Sequence, residues 1–290
     1  MTNSSPSAEP EVLRYAAFTA DPAGGNPAGV VLDARALDDA RQQAIAAEVG
    51  YSETAFLCPA PDEPRTYTVR YFSPKAEVPF CGHATVAAAV ALAGRIGPGE
   101  VLFETKAGPV PVSVTADRDG VLSATLTSVT PCVDPVAEAD VAEALAALDW
   151  RREELDEALP PRVAYAGARH LVLAAATRER LARLEYDFER LTRLMLRLDL
   201  TTLQLVHRDS ERVFHARDPF PVGGVVEDPA TGAAAAAFGA YLRELFDLED
   251  ARLTLYQGQD LGRPSVLNVE LRAGDPRVRV GGQAVPITAW

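Results

Sequence analysis

The 290-residue sequence holds only three cysteines, Cys58, Cys81 and Cys132, and no two share a C-x-x-C spacing. So sparse and odd a set supports neither a disulfide framework nor a cysteine zinc site, and it fits a reducing cytoplasm. Positive charge is also scarce: 28 Lys and Arg against 41 Asp and Glu leave a net charge of −13. Nucleic-acid and anionic-membrane surfaces rely on clustered basic residues, so neither partner is expected and a small molecule is. The opening MTNSSPSAEPE lacks the basic and apolar regions of a secretory signal and reads as a disordered tail. The four histidines, at 83, 170, 207 and 215, show no metal-ligand spacing. No dinucleotide fingerprint, P-loop or G-x-S-x-G elbow occurs. No metal and no cofactor are expected.

What the sequence does have is alanine, concentrated in two places. FSPKAEVPFCGHATVAAAVAL, residues 72–92, runs from a polar, glycine-containing turn into a helix with no hydrophilic face. Such a helix is buried, and it is too short to span a bilayer. EDPATGAAAAAFGAYL, residues 227–242, repeats the device. In both, the first N–H groups have no partner inside the helix and carry the positive end of its dipole, which attracts an anion such as a substrate carboxylate. Matching Ala84-Thr85 to Ala230-Thr231, each after an aromatic-Pro element, suggests an internal duplication. The expectation is two similar lobes, each wrapped around one central helix, with the helix N-termini facing a common cleft. With 48% hydrophobic and 24% charged residues, the composition is that of an ordinary globular protein whose length exceeds a single core.

Periodicity and turn residues predict an N-terminal lobe over 12–128. Its strands fall at 12–19, 29–32, 54–58, 65–72, 101–105, 110–115 and 122–127, with a helix at 37–49 stopped by Gly50. Ser128–Pro135, with two prolines and no periodicity, reads as the linker. The C-terminal lobe, 129–290, is expected to carry helices at 136–148, 179–184 and 188–198. Its strands fall at 162–166, 170–175, 203–207, 212–216, 252–256, 265–271 and 278–280. The charged run 151–157 reads as a solvated helix face, and residues 284–288 could pair with either lobe.

The series GGNPAGVV, YSETAFL, FSPKAEVPFCGHAT, FETKAG, EDPATG, YQGQDLGRPS and VGGQAVPI resembles the PhzF family of phenazine biosynthesis-like proteins, from about Tyr15 to Ile287. CGHAT, EDPATG and SETAF are specific together and weak singly. The resemblance implies a diaminopimelate epimerase-like α/β (α+β) fold: two similar lobes, each a mixed, largely antiparallel sheet curled around a central helix. It also implies cofactor-independent proton movement on a small carboxylated substrate, and a homodimer.

Moving a proton on carbon without a cofactor needs a carboxylate or thiolate base in a dry cleft, with fixed donors for the developing charge. Glu53, at a strand start just before Ala55-Phe56-Leu57 and so at the edge of an apolar environment, is the first candidate. Read alone it could be an ordinary exposed glutamate; the resemblance makes it the general acid/base. By the same resemblance His83 and Asp228 face the ligand, although His83 could be a structural hydrogen-bonder and Asp228 a helix cap. The backbone N–H groups of Gly82, His83, Thr231, Gly232 and Ala233 form the anion cradle, and Asn26 reads as a turn residue. Many family members carry Ser where Ala233 stands, so a hydroxyl contact is missing and a phenazine-precursor substrate is in doubt. Epimerase relatives use one cysteine per lobe, whereas the second lobe here offers Glu227 or Asp228 opposite Cys81. Cys81 therefore reads as a small buried residue. Two readings follow: an isomerase working through Glu53, or a non-catalytic binding or interaction protein on the same fold. Retention of Glu53, His83 and Asp228 together favours the first.

Overall fold

The computed structural model describes residues 9–288, which form two compact units. Part of the expected N-terminal tail, residues 1–8, lies outside the described residues. One unit comprises residues 9–23, Pro27–Leu126 and residues 283–288; the other comprises Gly24–Asn26 and Thr127–Gly282.

In the first unit, strands β1 (Leu13–Ala17) and β2 (Asn26–Val31) lead through helix α1 (Asp39–Val49) to β3 (Glu53–Pro59), β4 (Thr66–Phe72) and the two-residue β5 (Glu77–Val78). Helix α2 (Gly82–Ile96) and strands β6 (Gly99–Thr105), β7 (Gly108–Ala116) and β8 (Leu122–Thr127) follow. Helix α1 begins at Asp39 and not at Leu37, because the Asp38 carboxylate accepts from the Arg41 N–H as N-cap; Gly50, at φ 72°, stops it. β2 and β3 run parallel, β3 and β4 antiparallel, β4 and β6 parallel, and β6, β7 and β8 antiparallel. Helix α2 packs against β1, β3 and β7. Every residue from His83 to Ala93 is buried, which only small side chains permit around a helix enclosed on all sides.

The second unit contains β9 (Cys132–Pro135), α3 (Glu138–Leu148), β10 (Arg162–Tyr165), β11 (Arg169–Ala174), α4 (Arg178–Ala182), α5 (Phe188–Leu198), β12 (Thr202–Arg208) and β13 (Val213–Pro219). After the short β14 (Glu227–Asp228) come α6 (Gly232–Phe246), β15 (Ala251–Gln257), β16 (Ser265–Arg272) and β17 (Asp275–Pro286). The pairings repeat those of the first unit. β11 and β12 are parallel, β12 and β13 antiparallel, β13 and β15 parallel, and β15, β16 and β17 antiparallel. Helix α6 packs on β9, β10, β11, β12 and β16.

The structure resets the register of this duplication. Glu77 lies opposite Phe72, and Glu227 opposite Pro219, each in a short hairpin that leads into the buried helix. The repeated unit is therefore E-x-P-x-x-G, at 77–82 and 227–232, and Thr231, not Glu227 or Asp228, is the counterpart of Cys81. The Ala-Thr pairs at 84–85 and 230–231 are not equivalent: one lies inside α2 and the other ends at the residue before α6. The same register carries an ion pair twice. Arg70 grips Glu77 with two hydrogen bonds, and Arg217 grips Glu227 in the same way.

Three further expectations need correction. The proline-containing stretch 128–135 ends in β9, which pairs antiparallel with β10, so it is only partly a linker. The run 151–157 forms a single 3₁₀ turn at Arg152–Glu154, not a helix face. The terminal strand is twelve residues long, and its Ala284–Pro286 segment pairs with β1 while its earlier residues pair with β16.

Candidate active site

Two groups of polar side chains stand at the starts of the buried helices, one in each unit. In the first unit, β3 begins at Glu53 and α2 begins at Gly82, so the strand start and the helix start present Ser52, Glu53, Cys81 and His83 together. The Glu53 Oε2 atom lies 3.4 Å from His83 Nε2 and 3.5 Å from Cys81 Sγ. Ser52 Oγ sits 3.2 Å from the same His83 Nε2. The Glu53 side chain keeps 18% of its surface and that of His83 keeps 7%, so the carboxylate reaches solvent while the imidazole behind it is enclosed. Cys81, the N-cap of α2, makes no side-chain cap hydrogen bond, which leaves its sulfur to Glu53 and His83.

This grouping brings together three potential metal ligands that the spacing of the sequence had not suggested: one atom each of Glu53, Cys81 and His83, all within 4.8 Å of one another. Their aim argues against a ready-made site. Cys81 Sγ lies 3.4 Å from His83 Nδ1 and 3.7 Å from Nε2. Near-equal distances to both nitrogens put the sulfur over the face of the ring, off the in-plane axis of either lone pair. An ion held by the sulfur and one ring nitrogen would require the imidazole to turn.

In the second unit the site grows from the β13–β14 hairpin and the start of α6. Asp228 accepts from Asn26 Nδ2 at 2.8 Å through Oδ1 and from the Thr231 hydroxyl at 2.5 Å through Oδ2. Asn26 is 2% exposed and also donates to the Ala230 carbonyl, so it is a buried organiser of Asp228 and not a simple turn residue. Gln257 Nε2 donates to the Asp228 carbonyl and to Thr231 Oγ1, and its Oε1 accepts from the Thr231 backbone N–H at 3.1 Å. That last bond removes the Thr231 N–H from the expected anion cradle; within α6, Gly232, Ala233 and Ala234 are the positions whose N–H groups lack helical partners, since the first helical bond runs from Ala235 N–H to the Thr231 carbonyl. Thr231 is the N-cap, yet its hydroxyl turns to Asp228 and does not cap the helix.

Of the residues singled out from sequence, Glu53 and His83 meet in the first unit, with Gly82 between Cys81 and His83. Asp228, Thr231, Gly232 and Ala233 meet in the second. Sequence reading missed Ser52, Asn26 and Gln257 as members of these groups, and Cys81 is both small and buried, as expected, and in contact with Glu53. The motifs SETAF, GGNPAG and YQGQDLG flagged the stretches holding the three missed residues but not their contacts.

The repeated α/β architecture is an epimerase-like fold, and the chain's relatives make it an isomerase. The chain belongs to the PhzC-PhzF family, described as phenazine biosynthesis-like protein, which matches residues 15–289. It is 33% identical over 290 residues to the uncharacterized isomerase YfhB of Bacillus subtilis, covering 96% of each chain. It is 28% identical over 264 residues to trans-2,3-dihydro-3-hydroxyanthranilate isomerase of Pseudomonas aeruginosa, covering 90% of each. A crystal structure of a PhzF-family phenazine biosynthesis protein from Bacillus anthracis aligns with TM-score 0.85 at 27% identity, covering 96% of both chains. Among the described residues no helix is long and apolar enough to cross a membrane.

Proposed function

We propose that this isomerase moves a proton between two positions of one small carboxylated substrate, with Glu53 taking and returning it. The observation that carries the reading is the placement of the Glu53 carboxylate: partly exposed, 3.4 Å from an enclosed imidazole, and beside the start of α2. A carboxylate there can accept a proton from substrate carbon and release it again, while His83 holds its orientation. The substrate carboxylate binds at the helix N-terminal N–H groups of Gly82 and His83, or of Gly232 and Ala233, where the dipole favours negative charge. Asp228, fixed by Asn26 and Thr231, orients a polar group of the substrate or exchanges a proton with it. A relative named for isomerising a dihydro-hydroxyanthranilate supports the class of substrate, a small cyclic carboxylate. Ala233 offers no hydroxyl, so a substrate other than that one is expected. The protein acts without a cofactor and as a homodimer.

The test is Glu53→Gln, which keeps the shape of the side chain and removes the base. With a panel of small cyclic and amino-substituted carboxylic acids in deuterated water, wild type should place deuterium in the product. The variant should turn over about a hundredfold to ten-thousandfold more slowly with little change in ligand affinity, because general acid–base help acts in the transition state. Equal deuterium uptake by both proteins would refute Glu53 as the base. Binding of a panel member with no uptake by wild type would favour a binding protein.

A further inference from the structure

In the β13–β14 hairpin two aspartates face each other. Asp218 and Asp228 are direct partners across the antiparallel pair, so both side chains leave the same face with Cβ atoms about 5 Å apart. Two ionised carboxylates at such positions repel strongly, and a like-charged partner keeps one of them protonated. Asp218 is fully buried, at 0% exposure, whereas Asp228 is only partly enclosed. In the first unit the position equivalent to Asp218 is Tyr71, a core side chain also at 0% exposure. Asp218 thus occupies a place built for a neutral group.

The hydrogen bonds set the two carboxyls apart. The Thr231 hydroxyl gives its one hydrogen to Asp228 Oδ2. Asp228 accepts from both Asn26 and Thr231, a pattern that holds the anion there. Gln204, buried on β12, donates to both Asp218 oxygens at 2.8 and 3.0 Å when its amide nitrogen is turned toward them. The charged groups acting on Asp218 are Asp228 and Glu227, and Arg217 is committed to Glu227. Among the described residues no cation acts on Asp218.

We infer that Asp218 and Asp228 hold one proton between them, with Asp218 as the positioning residue that carries it and keeps Asp228 an anion. The use of that anion in catalysis rests on the proposed role of Asp228; the proton on Asp218 does not. Burial, opposed by the nearby Thr231 hydroxyl and reinforced by Asp228 and Glu227, pushes the Asp218 carboxyl well above the usual carboxylate range.

The test is isotope-edited infrared spectroscopy on protein labelled at the aspartate carboxyl carbons, without substrate. At pH 7, wild type should show a protonated-carboxyl stretch that moves with the label, and Asp218→Asn should lose it. Thr231→Val, which keeps both carboxyls, should retain the band. A second readout is stability. A folded-state pKa raised above the unfolded value of 3.8 gives stability that is full below that pH and lost as pH rises, so Asp218→Asn should gain on wild type steadily above about pH 4. Absence of the band in wild type, its survival in Asp218→Asn, or a stability difference that stays flat with pH would each overturn the inference. Because no substrate enters, failure of Glu53 as the acid/base would leave these results unaffected.

Discussion

Arg217 and Glu227 form a bidentate pair in which the arginine side chain keeps 10% of its surface and the glutamate 1%. The equivalent Arg70 and Glu77 keep 26% and 16%. The difference decides what each pair is worth. Removing one partner of an enclosed pair strands the other charge, so Arg217→Met should cost about 3–5 kcal/mol in urea unfolding, while Arg70→Met should cost about 1 kcal/mol. Restoring neutrality with Arg217→Met and Glu227→Leu together should recover most of the loss; an equally unstable double variant would show that the ion pair itself, and not the stranded carboxylate, matters. At this scale the sequence was legible where a residue's role follows from its own neighbours. Glu53 before an apolar strand and His83 at the mouth of an alanine helix could be singled out. Asn26 could not, because its partner Asp228 lies 202 positions away and only strand pairing brings them together. Asp218 was equally hidden: in HARDPFP it looks like a turn aspartate until β14 folds back on it.

The two alanine helices were the most legible elements, since a run without polar residues has one interpretation in a chain with so much charge elsewhere. Their equivalence was misaligned by several residues because alanine repeats look alike in any register, while the hairpins that fix the register, β5 and β14, are each two residues long. Close packing of α6 gives a test. A Cβ at Gly239 would lie 2.7 Å from Val269 Cγ1 and 3.0 Å from Val278 Cγ1. Gly239→Ala raises helix propensity by about 1 kcal/mol yet forces two core valines aside, a cost of about 1–3 kcal/mol, so the variant should be destabilised by up to about 2 kcal/mol net. Higher stability of the variant would mean that β16 and β17 yield more readily than a packed sheet should. The short elements were the least legible, because a bridge of two residues carries no periodicity.

For the molecule as a whole, fold class and duplication could be read from the sequence, while the course of the final strand could not, since Val278–Val280 carries the only strong apolar alternation in a strand four times as long. Charge sets the acid limit of the fold. The Arg70 guanidinium, opposed by partial burial and assisted by Lys106, holds the Glu77 carboxyl at about 2, and Arg277 holds that of Asp275 at about 2. For groups depressed in the folded state, stability is present above the unfolded value and is lost as pH falls through the folded one. The unfolding midpoint in urea should therefore drop between about pH 4.5 and pH 2, and Glu77→Gln should flatten part of that drop. A midpoint for Glu77→Gln that falls as steeply as that of wild type would remove Glu77 from the account.

Strand β1 finds its partner at Ala284–Pro286, with Tyr15 opposite Pro286. During synthesis, everything else in the first unit is available once residue 126 has emerged, yet β1 keeps an unpaired edge until more than half the chain has followed. The ribosome thus makes the second unit while the first still waits for its closing strand, and the loop joining the two halves of that pairing is among the longest the chain can form. Sequential domain-by-domain maturation, the usual course for a two-unit chain, is closed to this one by topology: the unit begun first is completed last.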